Sequence, residues 1–308
     1  KEPRTISEAR YDTVPGMWEP GQALVSLNIP QLPHHVSINS FGFRGEEPSQ
    51  RWKEKTKILF VGDSFTFGSF VDDADTLPAQ TARLLDMNLY EVFNAGLGGS
   101  TINDQIHFLE KALIVNPDVV VLVYSENDLD DLYASPALYK QLEDNRKMKS
   151  GLLGTVYSAV KDTCLFNLVL RARALWRNRN TEGKKAKELD AQGVQQVRGR
   201  SLIEYRRNFD KFSNLVSAAG AQLIFVTFPS HHTLYDQDWP STIGSVLKAV
   251  PAIDSLDLTP ILKQQGLERN ELYLLPYDGH PSAKAYALAA SELAPLIQNV
   301  VAEAKMSP

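Results

Sequence analysis

Five short apolar runs constrain this chain more than any other feature: Ile58-Leu59-Phe60-Val61, Val92-Phe93-Asn94-Ala95-Gly96, Val119-Val120-Val121-Leu122-Val123-Tyr124, Leu223-Ile224-Phe225-Val226-Thr227 and Leu272-Tyr273-Leu274-Leu275. A strand with one wet face alternates apolar and polar residues, so near-continuous runs of this length indicate strands buried on both faces. Between the runs, Ile102, Ile106, Leu109 and Leu113 recur at helical spacing, as do Tyr205, Phe209, Phe212, Val216 and Ala219. Strand and helix in alternation predict the α/β class: a five-stranded parallel sheet covered on both sides, giving a three-layer α/β/α sandwich. A last helix is expected over 282–304, with Pro295 kinking or breaking it. In such a sheet, ligands gather at the carboxyl ends of the strands.

The pattern begins at Lys57, so residues 1–56, rich in Pro, Gly and His, are expected to form a loop-rich arm and residues 57–308 a single domain. The interval 129–200 breaks the alternation and predicts a helical insertion, apolar at first and then basic from Arg177 to Arg200. That basic stretch is either a solvated surface or a lid or partner surface. With 32 Lys and Arg against 37 Asp and Glu, the net charge of −5 offers no global positive field for a phosphate backbone, and nucleic acid is not expected as a partner. The one cysteine, Cys164, allows neither an intrachain disulfide nor a multi-thiolate zinc site and is expected as a buried thiol. No window approaches the ~20 apolar residues of a membrane span. Because the chain starts at Lys1 rather than Met, a truncated or processed product is expected, and contact with a membrane only through a missing N-terminal anchor.

Four polar segments follow the strand runs and therefore share one edge of the predicted sheet. Ser64, in Gly62-Asp63-Ser64, would present its hydroxyl at a strand-to-helix turn, where a nucleophile is exposed, although a serine there is also a common helix cap. His280, in Asp278-Gly279-His280-Pro281, would bring an imidazole to the same edge, with Asp278 placed to fix its tautomer. Gly96-Leu97-Gly98-Gly99-Ser100 and Ser125-Glu126-Asn127-Asp128 offer main-chain N–H groups and an amide for a developing oxyanion. Each segment alone has a plain reading as a turn. Four of them at one sheet edge do not.

These blocks, together with Asn94 and Thr101 around the glycines, resemble the SGNH hydrolase superfamily, also called the GDSL esterase/lipase family. The resemblance spans about 57–304 in the right order, interrupted by the insertion. It implies the flavodoxin-like fold of that family and a serine esterase that needs no cofactor or metal. It further implies Ser64 as nucleophile, His280 as base, Asp278 as its orienting acid, and an oxyanion hole from the Ser64 N–H, Gly99 and Asn127. Counting back from Thr101 favours Gly99 over Gly98. The sequence departs from the family pattern in carrying Phe65 rather than Leu, Glu126 rather than Gly, and one residue rather than two between Asp278 and His280. Upstream, Ile38-Asn39-Ser40-Phe41-Gly42-Phe43-Arg44-Gly45 is similar to a segment of bacterial members, many of them cell-envelope proteins or polysaccharide acyl-modifying enzymes, where Arg44 either supports a loop or shapes the cleft. The implied substrate is a small acyl ester, favourably an acetyl group on a carbohydrate. The implied location is extracytoplasmic, with a cytoplasmic one as the alternative. An O-acyltransferase using the same residues and a noncatalytic carbohydrate-binding scaffold are the competing functions. His231-His232 and His34-His35 lack carboxylates at ligand spacing, so no metal is expected at either pair, and His231 or His232 is left as a cleft-lining candidate.

Overall fold

The computed structural model describes residues 4–5, 18, 22–26, 31–134, 191–250 and 253–306. Eight strands are present among them: β1 (Arg4–Thr5), β2 (Gln22–Ser26), β3 (His34–Ile38), β4 (Thr56–Gly62), β5 (Tyr90–Asn94), β6 (Val119–Ser125), β7 (Gln222–Phe228) and β8 (Asp254–Asp257). The helices are α1 (Ser64–Phe67), α2 (Leu77–Leu84), α3 (Ile102–Ala112), α4 (Glu126–Ala134), α5 (Ala191–Ala218), α6 (His231–Tyr235), α7 (Ile243–Ala249), α8 (Leu258–Gln264), α9 (Arg269–Leu272) and α10 (Ala283–Met306).

Strands β4 to β8 form a five-stranded parallel sheet in the order β5-β4-β6-β7-β8. Every residue of β6, its central strand, is buried. Alternation along the strands sends Ile58, Phe60, Val121 and Val226 into a core shared with Tyr286, Leu293 and Ile297 of α10, while Leu59, Val61, Leu122 and Phe225 face Leu109 of α3 and Phe209 and Phe212 of α5. Two helix layers enclose one sheet, as the sequence predicts.

The fifth strand is not the one the apolar runs indicated. Leu272 closes α9 and Tyr273 only bridges to Pro281, whereas β8 is the polar segment Asp-Ser-Leu-Asp beside β7. At the sheet margin the helical cover thins, Asp254 and Ser255 are exposed, and the apolar signature is lost. Leu272 and Tyr273 are nonetheless buried, which accounts for their apolar character without a strand. Pro295 does not end α10. Burial of Leu293, Ala294, Ile297, Val300 and Val301 on the sheet outweighs the roughly 3 kcal/mol that an interior proline costs a helix.

Residues 1–56 contribute β1, β2 and β3, a three-stranded sheet in that order with β2 antiparallel to β3. The main-chain N–H of Arg44 donates to the carbonyl of Asn94 at 3.0 Å, joining this segment to the end of β5. Most of the predicted insertion, 135–190 with Cys164, lies outside the described residues; its two ends belong to α4 and α5. Among the described residues no helix is long and apolar enough to cross a membrane.

Candidate active site

Strand β4 has β5 on one side and β6 on the other, so the connections leaving it and reaching β6 diverge at their carboxyl ends. This is the topological switch point where open α/β sheets bind ligands. Ser64, first residue of α1, stands directly beyond β4, and Asn127 stands directly beyond β6. Asp63 caps α1 by accepting the Phe65 N–H on Oδ1 at 2.9 Å.

Ser64 Oγ lies 2.7 Å from His280 Nε2. His280 Nδ1 pairs with Asp278 Oδ1, and the His280 main-chain N–H donates to the same oxygen at 2.9 Å. One intervening residue is therefore enough, because the aspartate folds back on the histidine two positions later. Burial opposes the Asp278 charge, but hydrogen bonds from the His280 ring and from the His280 and Gly279 N–H groups, with attraction to the ring, hold its pKa below the ordinary value. The turn is anchored at its base, where the Leu274 N–H donates to the His280 carbonyl at 3.0 Å.

The second carboxylate oxygen of Asp63 accepts from Ser125 Oγ at 2.8 Å and from Asn127 Nδ2 at 3.0 Å. A carboxylate only accepts, so the Asn127 amide turns its nitrogen to Asp63, while its Oδ1 lies 2.5 Å from Ser125 Oγ. Asp128 is buried beneath this group with Gln105 Nε2 at 3.4 Å; burial first, and the neighbouring Asp63 charge second, push its carboxyl well above the usual range.

The glycine block crosses the end of β4 through the Leu97 N–H, which donates to Gly62 O at 3.0 Å, and Ser100 Oγ, which donates to the same oxygen at 3.2 Å. Gly96 must be glycine, since a Cβ there would lie 2.3 Å from Phe67 N. A Cβ on Gly98 would lie 3.7 Å from Ser64 Cβ, and Gly99 follows at φ +76°, a conformation that glycine adopts without steric cost.

Two phenylalanines flank the catalytic candidate histidine, with Phe65 at 5.3 Å and Phe70 at 5.4 Å between ring centroids. His231, at the start of α6, reaches the same turn: a Cβ on Gly279 would lie 3.2 Å from its Nε2. Its ring packs on His232 at 3.9 Å. Glu126 holds this region by accepting from Ser230 Oγ at 2.6 Å, the Thr242 N–H at 3.0 Å and Thr233 Oγ1. Burial opposes its charge, yet these donors keep its pKa lowered. In the other pair, His34 is buried with Nδ1 at 3.0 Å from Leu32 O, whereas His35 is exposed beside Asp72. Among the described residues no group of three or more His, Cys, Asp or Glu could hold a metal ion.

The sequence blocks thus converge: Ser64, His280 and Asp278 are in contact, with Asn127 and the glycine block beside them. The reach of Asp63 to Asn127, the hydroxyl of Ser125 and the wall formed by Phe70 had no signal beyond adjacency to those blocks. Such a serine, imidazole and carboxylate series can transfer a proton from the hydroxyl and orient the acceptor.

The fold is a three-layer α/β protein with the candidate site at the carboxyl edge of its sheet. Residues 60–288 match the GDSL-like lipase/acylhydrolase family, and the chain belongs to that family. No curated protein matches the sequence. Similar solved structures include a putative lipolytic G-D-S-L protein from Desulfitobacterium hafniense DCB-2, with 15% identity and a TM-score of 0.44 over 79% of this chain and 99% of that one. TesA gives 17% and 0.47 over 79% and 98%. A catalytic mutant of Axe2, an acetylxylan esterase from Geobacillus stearothermophilus, gives 17% and 0.47 over 79% and 94%.

Proposed function

We propose that the protein is a serine esterase that hydrolyses a small acyl ester, an acetyl group on a carbohydrate being the favoured substrate. The observation that carries the reading is the 2.7 Å contact between Ser64 Oγ and His280 Nε2, with Asp278 bound to the other ring nitrogen. The carbohydrate part draws on the Asn39 to Arg44 segment and its likeness to acyl-modifying members of the family.

Ser64 Oγ attacks the ester carbonyl carbon while His280 Nε2 takes the hydroxyl proton, and the carbonyl π electrons move onto oxygen. The Ser64 and Gly99 N–H groups and Asn127 Nδ2 receive that oxyanion. For this Asn127 Nδ2 keeps one hydrogen on Asp63 Oδ2 and offers the other to the oxyanion. Collapse of the intermediate breaks the bond to the alcohol oxygen, which takes the proton from His280. Water then attacks the acyl-serine as His280 takes its proton; the bond between the acyl carbon and Ser64 Oγ breaks, Ser64 takes that proton from His280, and the carboxylic acid leaves.

Replacing Ser64 with alanine tests the reading. Hydrolysis of p-nitrophenyl acetate and labelling by a fluorophosphonate should both vanish while the thermal midpoint moves little, since a lost hydroxyl at a helix start costs only about 1 kcal/mol. Turnover near wild type in the alanine variant rejects Ser64 as nucleophile.

A further inference from the structure

We infer that a depression of about 390 Å³, lined by Leu32, Pro33, His34, Phe70, Val71 and Leu274 and joined to His280 through the Phe70 ring, is the subsite for the alcohol half of the ester and takes a neutral, hydroxylated alcohol of sugar size. The inference rests on the esterase reading above.

His280 must hand its proton to the leaving oxygen, so the alcohol lies on the imidazole side of the site, away from the glycine and asparagine blocks. Of the two rings flanking the imidazole, Phe65 is buried and Phe70 is half-buried, so Phe70 is the surface a leaving group meets. Phe70 has φ +67°, a region that bulky side chains rarely enter. Residues held there persist only where their surroundings over-determine them, and they cluster at ligand-handling sites.

Arg44 supplies that constraint. Its buried guanidinium donates to the carbonyls of Phe67 at 2.8 Å, Gly68 at 2.5 Å and Val71 at 2.7 Å, gripping the chain on both sides of Phe70, and to Asp73 Oδ1 at 2.8 Å. The Phe70 ring also packs on His34 at 5.7 Å, so it is a partition shared by the catalytic imidazole and the depression. Leu274, whose N–H donates to the His280 carbonyl, also lines the depression. Its apolar residues suit the C–H faces of a sugar ring. Its rim, with the carboxylates of Asp72, Asp75 and Glu271 against the ammonium of Lys284, accepts hydroxyl groups and repels an anionic alcohol.

The test compares ethyl acetate, whose alcohol is too small to use the depression, with glucose pentaacetate. Two variants are made: Leu32→Trp, which fills the depression, and Phe70→Gly, which removes the ring and tolerates the positive φ. In both, the ratio of kcat/KM on the sugar ester to that on ethyl acetate should fall by about tenfold or more, mainly through KM on the sugar ester. Ratios equal to wild type in both variants overturn the subsite and leave the esterase reading standing. A wild-type protein inert to both esters and to a fluorophosphonate overturns the esterase reading and the subsite with it.

Discussion

Asp63 takes one hydrogen of the Asn127 amide nitrogen in the resting site, so the role of Asn127 depends on offering the other as charge develops on the substrate. Asn127→Ala should lower kcat by about 10²–10³ with little change in KM, the loss expected for one oxyanion donor. Kinetics and thermal melting on the same preparation check this, because a turn asparagine alone would lower the midpoint and spare kcat. Asp278 offers a second measurement. Its lowered pKa keeps it ionised at neutral pH, so it accepts from Nδ1 and leaves Nε2 free to take the Ser64 proton. Asp278→Asn presents an amide that favours the wrong tautomer, and kcat should fall by about 10⁴ on p-nitrophenyl acetate. Both residues were legible in the sequence because they sit in short polar blocks after apolar runs, although only the run before Asn127 is a strand. Phe70 was not: nothing in Gly-Ser-Phe-Val announces a left-handed phenylalanine against a histidine more than two hundred positions away.

Elements declared themselves in the sequence where burial was two-sided. Strands β4, β6 and β7 are apolar because helices cover both faces, and the pattern found them. Strand β8 lies at the thinly covered margin, so four polar-leaning residues make the fifth strand while the apolar Leu272-Tyr273 pair packs at the end of a helix. The loop after β7 shows a further limit: Glu126, a departure from the family pattern, binds Ser230, Thr233 and Thr242 across more than one hundred positions of sequence. Glu126→Ala strands these donors in a buried place and should destabilise the protein by about 2–4 kcal/mol in urea unfolding. Because the folded pKa of Glu126 is lowered, its contribution is complete above the unfolded value of ~4.3 and disappears as pH falls through the folded one. The gap between wild type and the variant should therefore close on acidification below that range.

At the scale of the whole molecule, residues ahead of the first predicted strand are part of the structure that shapes the site. Arg44 bonds four main-chain carbonyls and Asp73 from a buried position, and Trp18 stacks on Phe67 at 5.7 Å. Arg44→Met should cost about 3–5 kcal/mol, as removal of one member of a buried ion pair does, read as a lower urea midpoint. The sequence marked Arg44 through its glycine-flanked motif but could not show its partners, which come from a loop formed only after α1 has turned. The arginine clamp also separates two meanings of a domain boundary. The stretch 60–288 carries the shared family pattern, yet Arg44 lies before it and the last turns of α10 after it. Common ancestry and cooperative melting thus select different lengths of this polypeptide: a protein trimmed to the inherited pattern would keep Ser64, Asn127 and His280 in sequence while losing the tie that stretches Phe70 into place.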